Sequence, residues 1–403
     1  MLSDKHESSW SPLYFLAALG AGGMIVTFFM YLLFWIPHPG QPIPVYEDWV
    51  GVFLTGTTVD QVMISIALAG VVLFAVFHLL LLLWNLSHYS RWKASGEMQK
   101  IAGTNAHTQL LAIPLTLAMS INAAFILGAL FVPGLWSYVE WLFPLALSGF
   151  TILGIWAMRM YLTFFSHSVS ANTFNKAANN SLAQLLPGFA FAMISVGLVA
   201  PAAMSHNTTT VAVSIFLAML FLVPALFITL VKMVIGVGDM LEHGVNKTTL
   251  PTLWVGIPIL TTLSIAALRI DHGLAHTLGL ADANDNPLMF LSMVLATQFF
   301  LIILGYSVMK RMNYFRSLWN GEEKTPVIYA LICPGVALSV SLHFFINKGL
   351  VAAGLLAKFG TAYWMFSAGA IVIQLLTALV LFKLIRQLII VPKAKTQPVL
   401  QTA

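Results

Sequence analysis

The feature that most constrains this chain is a succession of apolar runs, each long enough to cross a bilayer, with little sequence between them. Reading runs bounded by polar or Gly/Pro-rich punctuation gives ten: 10 to 36, 61 to 86, 107 to 132, 138 to 163, 181 to 205, 209 to 236, 250 to 270, 287 to 312, 325 to 346 and 360 to 390. A helix rises about 1.5 Å per residue, so about 20 apolar residues cross the roughly 30 Å hydrocarbon core. Lipid offers no hydrogen-bond partner to bare backbone, so each such run must be helical. Only 8% of the 403 residues are charged, against about 25% in soluble domains. An ordinary soluble protein is excluded, and the ten runs leave only short loops. The expected architecture is an all-α integral membrane protein, a single transmembrane domain over residues 1–403.

Charge placement gives the orientation. Arg91, Lys93 and Lys100 follow the second run, Arg159 and Lys176 the fourth, and Lys232 and Lys247 the sixth. Lys310, Arg311, Arg316 and Lys324 follow the eighth, and Lys383, Arg386, Lys393 and Lys395 close the chain. Only Arg269, Lys348 and Lys358 fall at the other ends, together with Glu47, Asp48, Asp60, Asp271, Asp282 and Asp285. The positive-inside rule then predicts a multi-pass protein of the cell (inner) membrane with both termini cytoplasmic, which needs an even number of spans. The formal charge of +5 reports this topology, so no nucleic-acid partner is expected. Met1-Leu2-Ser3-Asp4-Lys5-His6-Glu7 lacks the features of a cleaved signal peptide, and the first run reads as a retained span.

A two-span unit recurs. Arg91, Arg159, Lys232, Lys310 and Lys383 close the even spans at intervals of 68, 73, 78 and 73 residues, which points to five helical hairpins. Leu153-Gly154-Ile155-Trp156-Ala157-Met158-Arg159 resembles Leu304-Gly305-Tyr306-Ser307-Val308-Met309-Lys310 two units later. Positive-inside selection alone also places a basic residue after each even span, and that remains the competing explanation.

The odd spans share a helix breaker: Gly20, Gly22 and Gly23 in the first, Pro114 in the third, Pro187-Gly188 in the fifth, Pro258 in the seventh and Pro334-Gly335 in the ninth. Ala183-Gln184-Leu185-Leu186-Pro187-Gly188-Phe189-Ala190 parallels Ala330-Leu331-Ile332-Cys333-Pro334-Gly335-Val336-Ala337. A proline lacks a donor and frees a carbonyl one turn earlier, and in lipid such groups need protein or a watery cavity. Polar side chains follow the breaks: Thr116, Ser120 and Asn122, Ser195, Thr261, Thr262 and Ser264, Ser339 and Ser341. The even spans are bulkier, as in Leu79-Leu80-Leu81-Leu82-Leu83 and Phe299-Phe300-Leu301-Ile302-Ile303. Two concentric rings follow, odd helices inside around a central pore and even helices outside. The alternative is that Gly, Ala and Ser merely permit close packing. The residues expected to line the pore are Gly20, Gly23, Pro114, Ser120, Pro187, Phe189, Pro258, Thr261, Ser264, Cys333, Pro334 and Ser339.

No Asp, Glu, Lys or Arg falls at the middle of a span, so a carboxylate proton relay is not expected. A neutral pathway remains, in which freed backbone donors, hydroxyls and helix N-termini favour anions. Eleven histidines raise the rival of a haem-bearing redox protein using His78 or other histidines, although the depths of His78 and His343 differ. His272, His276 and Asp271 form a candidate surface metal site, with a solvated loop as the alternative. No Walker loop, zinc-protease helix or nucleophile elbow is present; no enzymatic activity, cofactor or metal is expected. A carrier of two inverted five-span repeats also totals ten spans, but the internal similarity here recurs at about 73 and 151 residues.

Ten spans, five hairpins and broken odd helices resemble the tellurite-resistance/dicarboxylate transporter family, which includes bacterial tellurite-resistance channel homologues and plant slow-type anion channels. The resemblance is architectural and covers nearly the whole chain. It implies an inner ring of five odd helices around a neutral pore, an outer ring of even helices, a homotrimer in the lipid bilayer, and small anions as partners. Anion-channel activity, dicarboxylate or malate uptake and sulfite export are the activities it implies. In the channel branch a pore-blocking Phe sits beside the kink proline of the ninth span. The matching residue here is Cys333, which leaves Tyr329, Phe189 and Phe191 as candidates for occlusion.

Overall fold

A computed structural model describes residues 10–280 and 286–390. Met1 to Glu7, Asp282, Asp285, Lys393 and Lys395, which entered the orientation argument, lie outside the described residues. The fold is all-helical, and no strand occurs among the described residues. Ten helices are long and apolar enough to cross a membrane: Pro12–Trp35, Thr58–Ala94, Asn105–Phe131, Leu135–Ser170, Ala183–Ala203, Thr208–His243, Lys247–Thr277, Leu288–Arg311, Pro326–Val351 and Thr361–Ile390. All ten expected runs are found. The second, fourth and sixth extend beyond the sequence-based ends, because polar turns such as Ser87 to Ala94 continue the helix past the apolar stretch.

Each odd span opens with a tight 3-10 segment and then becomes α-helical: Pro12–Tyr14, Asn105–Leu111, Ala183–Leu185, Lys247–Trp254 and Pro326–Leu331. Three of these starts are capped by the side chain just before them, Thr104, Asn246 and Thr325, which accepts a backbone N–H two residues on. Pro114, Pro187, Pro258 and Pro334 fall in the first turn of the α-helical part. The N–H groups at these junctions bond to carbonyls of the preceding 3-10 turn, as Ala112 does to Gln109 O and Ile332 to Tyr329 O, and a proline so near the start of the α-segment disturbs fewer bonds than one in its interior. The expected breaks partway along these spans are therefore 3-10-to-α junctions near one end. In the first span the junction follows Pro12, and Phe15–Trp35 runs α-helical through Gly20, Gly22 and Gly23. The prolines inside an α-helix are Pro144 and Pro224, both in even spans.

The first span packs along the second and touches the third and ninth; the third meets the fifth, the fifth the seventh, and the seventh the ninth. Each odd span also contacts the even span that follows it. At the face where the odd spans begin, hydrogen bonds tie the start of one span to the end of the next. Asn105 Nδ2 donates to Asn175 O (2.7 Å), Asn179 Nδ2 to Asp239 Oδ2 (2.6 Å), and Lys247 Nζ to Ser317 Oγ (2.5 Å). Gln387 Nε2 donates to Glu323 O at 2.7 Å.

Burial separates the two sets of spans. In the most apolar eighteen residues of each odd span, 56–89% are buried, against 28–39% in the even spans. Leu79, Leu83, Phe300 and Ile303 are among the exposed apolar side chains of the even set. A further helix, Tyr46–Thr55, lies in the loop after the first span. Trp49 Nε1 donates to Leu130 O (2.8 Å) and the Glu47 carboxylate accepts from Gly134 N (2.7 Å), which fixes this helix over the end of the third span. It is too short and polar to appear in a search for spanning runs.

Candidate functional site

The five odd spans bound a cavity of about 220 Å³, with Phe143, Ala146 and Phe150 of the fourth span completing its wall. Its lining is mostly apolar. Gly20, Gly23, Phe189, Pro258, Thr261 and Cys333 all face it, so six of the twelve expected pore residues are brought together here.

The other six are placed elsewhere. Ser120 Oγ lies 2.9 Å from His78 Nε2 and donates to Thr116 O (3.0 Å), which turns it toward the second span. Ser264 donates to Thr261 O (2.9 Å) and Ser339 to Ala370 O of the tenth span (3.1 Å). Pro114, Pro187 and Pro334 sit at the helix junctions, buried but outside the lining. The hydroxyls point away for a physical reason: a Ser or Thr in an apolar helix satisfies itself on a carbonyl one turn back or on a neighbouring span. Ser195 does the same on Ala218 O (2.9 Å). Thr261 and Thr262 reach the cavity wall, yet their hydroxyls donate to Ile257, Ala337 and Pro258 carbonyls.

The glycines divide by role. A Cβ on Gly20 would meet Ile332 Cγ2 at 2.7 Å, and one on Gly23 would meet Val336 Cγ1 at 2.9 Å, so these two also let the first and ninth spans approach closely. A Cβ on Gly188 would lie 2.5 Å from Thr229 Oγ1, and one on Gly335 2.0 Å from Thr377 Oγ1. The paired Pro-Gly motifs thus seat the fifth span on the sixth and the ninth on the tenth.

Among the three aromatic candidates for occlusion, Phe189 alone faces the cavity, together with Cys333. Tyr329 is fully buried, donates to Leu384 O (3.2 Å) and packs on Tyr14. Phe191 packs on Tyr161 and Phe221 of the fourth and sixth spans.

One cation reaches the lining. Arg269, near the far end of the seventh span, lines the cavity and donates from Nη1 to Val196 O at 2.8 Å. Among the described residues no Asp or Glu lines the cavity. Sequence reading placed Arg269 at a span end and did not aim it inward. The available signal was its position inside the last turn of an apolar run, on the side that otherwise carries few basic residues.

The histidines do not assemble a shared site. His78 Nδ1 contacts Ala18 O (2.8 Å) and its Nε2 contacts Ser120, so both ring nitrogens are engaged. His343 is buried among Tyr31, Phe34 and Trp35. The His272 and His276 rings lie with centroids 4.3 Å apart, tilted 43° to one another. Among the described residues the one grouping of three metal-type side chains within 4.8 Å is Asp239, Glu242 and His243, so Asp271 does not complete the set expected with His272 and His276. At the opposite face, Glu323 lies 3.8 Å from Lys247 and is nearly buried; desolvation holds its carboxyl above the usual range, with the lysine opposing.

Fold and cavity together define a multi-pass helical membrane protein. No family model, curated protein or solved structure matches this chain.

Proposed function

We propose that this chain passes small anions across the cell membrane through a central pathway bounded by its five odd spans. The even spans form the outer layer against lipid, five hairpins make up the whole, and both termini are cytoplasmic. The observation that carries this reading is the cavity itself: all five odd spans contribute to it, and among the described residues its only charged lining residue is Arg269 and no carboxylate faces it. A cation in an apolar enclosure attracts anions and repels cations. The high burial of the odd spans and the exposed Leu and Phe side chains of the even ones support the two-layer arrangement. The step-by-step contact of odd span with odd span, back from the ninth to the first, supports the ring.

A homotrimer remains part of the proposal on resemblance alone, as do dicarboxylate, sulfite or tellurite-related activities. Two readings stay behind it. A carrier of dicarboxylate or sulfite would use the same cavity with saturable exchange. A haem protein could not use His78 freely, since both its ring nitrogens have protein partners, which leaves His343, whose two ring nitrogens are buried without a hydrogen-bond partner among the described residues, as its one intramembrane ligand.

Purified protein in liposomes tests the reading. The expected result is flux of chloride, nitrate, sulfite or malate with potassium and sodium excluded. Saturable counterflow of one anion without net current would move the assignment to a carrier. Flux of cations, or none of either sign, would sink the anion reading.

A further inference from the structure

We infer that Arg269 and Asn122 form an anion-binding site on the cavity wall that takes small planar oxyanions, such as carboxylates or nitrate, in preference to halides. The inference rests on the anion-pathway reading and deepens it.

Arg269 brings five N–H donors in a fixed fork, and among the described residues its one protein hydrogen bond is from Nη1 to Val196 O. No ion pair joins it to an acid among the described residues. Asn122, from the third span, faces the same cavity, and its amide Nδ2 makes only a 3.7 Å approach to Met193 Sδ, a weak acceptor. Met193 and Val196 are three residues apart on the fifth span. Asn122 and Arg269, from the two odd spans on either side of the fifth, thus both present donors to the same cavity.

The rest of the wall cannot answer these donors. The Thr261 and Thr262 hydroxyls are committed to carbonyls, and the other lining side chains are almost all apolar. An intramembrane cation without a counter-ion is retained where it meets a ligand or an ion in transit. Guanidinium offers two parallel N–H bonds to two coplanar oxygens, which a spherical halide cannot use. The carboxamide adds a third donor. A cavity of about 220 Å³ has room for a small ion and a few waters, each of which fills about 30 Å³.

The test is binding, measured apart from transport. Thermal unfolding of the purified protein, read by tryptophan fluorescence, is titrated with nitrate, malonate and chloride at constant ionic strength. The wild type should show a saturable upward shift with nitrate and malonate at lower concentrations than with chloride. Arg269→Gln should raise the half-saturating concentration by at least about tenfold, and Asn122→Ala by a smaller factor, about threefold. Arg269→Lys keeps the charge and should lose the preference for oxyanions over chloride. The site is wrong if the wild type shows no saturable shift, or if Arg269→Gln keeps the wild-type half-saturation and preference. Should Arg269→Gln not fold, unchanged values in both Arg269→Lys and Asn122→Ala overturn it equally. Parallel flux assays separate the two ideas. Binding lost in Arg269→Gln with no wild-type flux sinks the pathway and keeps the site; wild-type anion flux with unaltered binding in every variant does the reverse.

Discussion

Gly335 packs against the tenth span at a distance that admits no side chain, since a Cβ there would sit 2.0 Å from Thr377 Oγ1. Gly335→Ala should therefore destabilise the protein by about 1–3 kcal/mol, the usual cost of overpacking, and Thr377→Ala should recover part of it. Unfolding temperatures of the single and double variants check this; equal stability of Gly335→Ala and wild type would refute the packing role. Glu323 offers a pH test. Its folded-state carboxyl titrates above the ordinary range because of burial, so the folded state holds this proton more tightly than the unfolded chain. Stability from this group is present at low pH and lost as pH rises through its raised value. The wild type should thus lose stability relative to Glu323→Gln as pH rises above the ordinary glutamate range; a pH-independent difference would contradict the assignment. Residue-scale legibility was uneven. Gly20, Phe189 and Cys333 were read into the cavity from the breaker pattern. Ser120, Ser264 and Ser339 were not placed there by the fold, because sequence spacing does not reveal whether a hydroxyl turns to its own helix or to a neighbour. Arg269 was seen only as an outer charge, since its long side chain reaches well away from its backbone position.

At the scale of elements, hydropathy located all ten spans, but it could not locate where a span changes winding. Pro114, Pro187, Pro258 and Pro334 signal the change from 3-10 to α rather than a mid-span kink. A proline in a helix interior costs about 3 kcal/mol, whereas one in the first turn is tolerated at far smaller cost. Replacing Pro187 with Ala should change stability by less than about 1 kcal/mol, while moving proline inward with Ile194→Pro should cost about 3 kcal/mol or more. Chemical or thermal unfolding in detergent distinguishes the two, and a large loss in Pro187→Ala would mean that the proline itself holds the junction. The helix Tyr46–Thr55 escaped the sequence reading because its stability comes from Trp49 and Glu47 reaching the third span's end, contacts separated by more than eighty residues. Glu47 and Asp48 at its start were the local signal, acids in a helix's first turn.

For the whole molecule, hydropathy carried the most information, because ten apolar runs with short loops between them leave little but an all-helical membrane protein, and ten such helices are found among the described residues. The sequence contained no equally direct sign of the cavity's chemistry. Its hydroxyls proved inward only in part, and its charge came from a residue near a span end. The account's central claim is that anions cross through the cavity bounded by the odd spans, and Cys333, the chain's single cysteine, faces that cavity. The wild-type protein is thus its own reporter. The measurement is anion flux in liposomes before and after treatment with a small anionic methanethiosulfonate, with Cys333→Ser as control and mass spectrometry to count modified thiols. The account predicts that flux falls in proportion to Cys333 modified and that Cys333→Ser is insensitive. Complete modification of Cys333 with undiminished flux would contradict it.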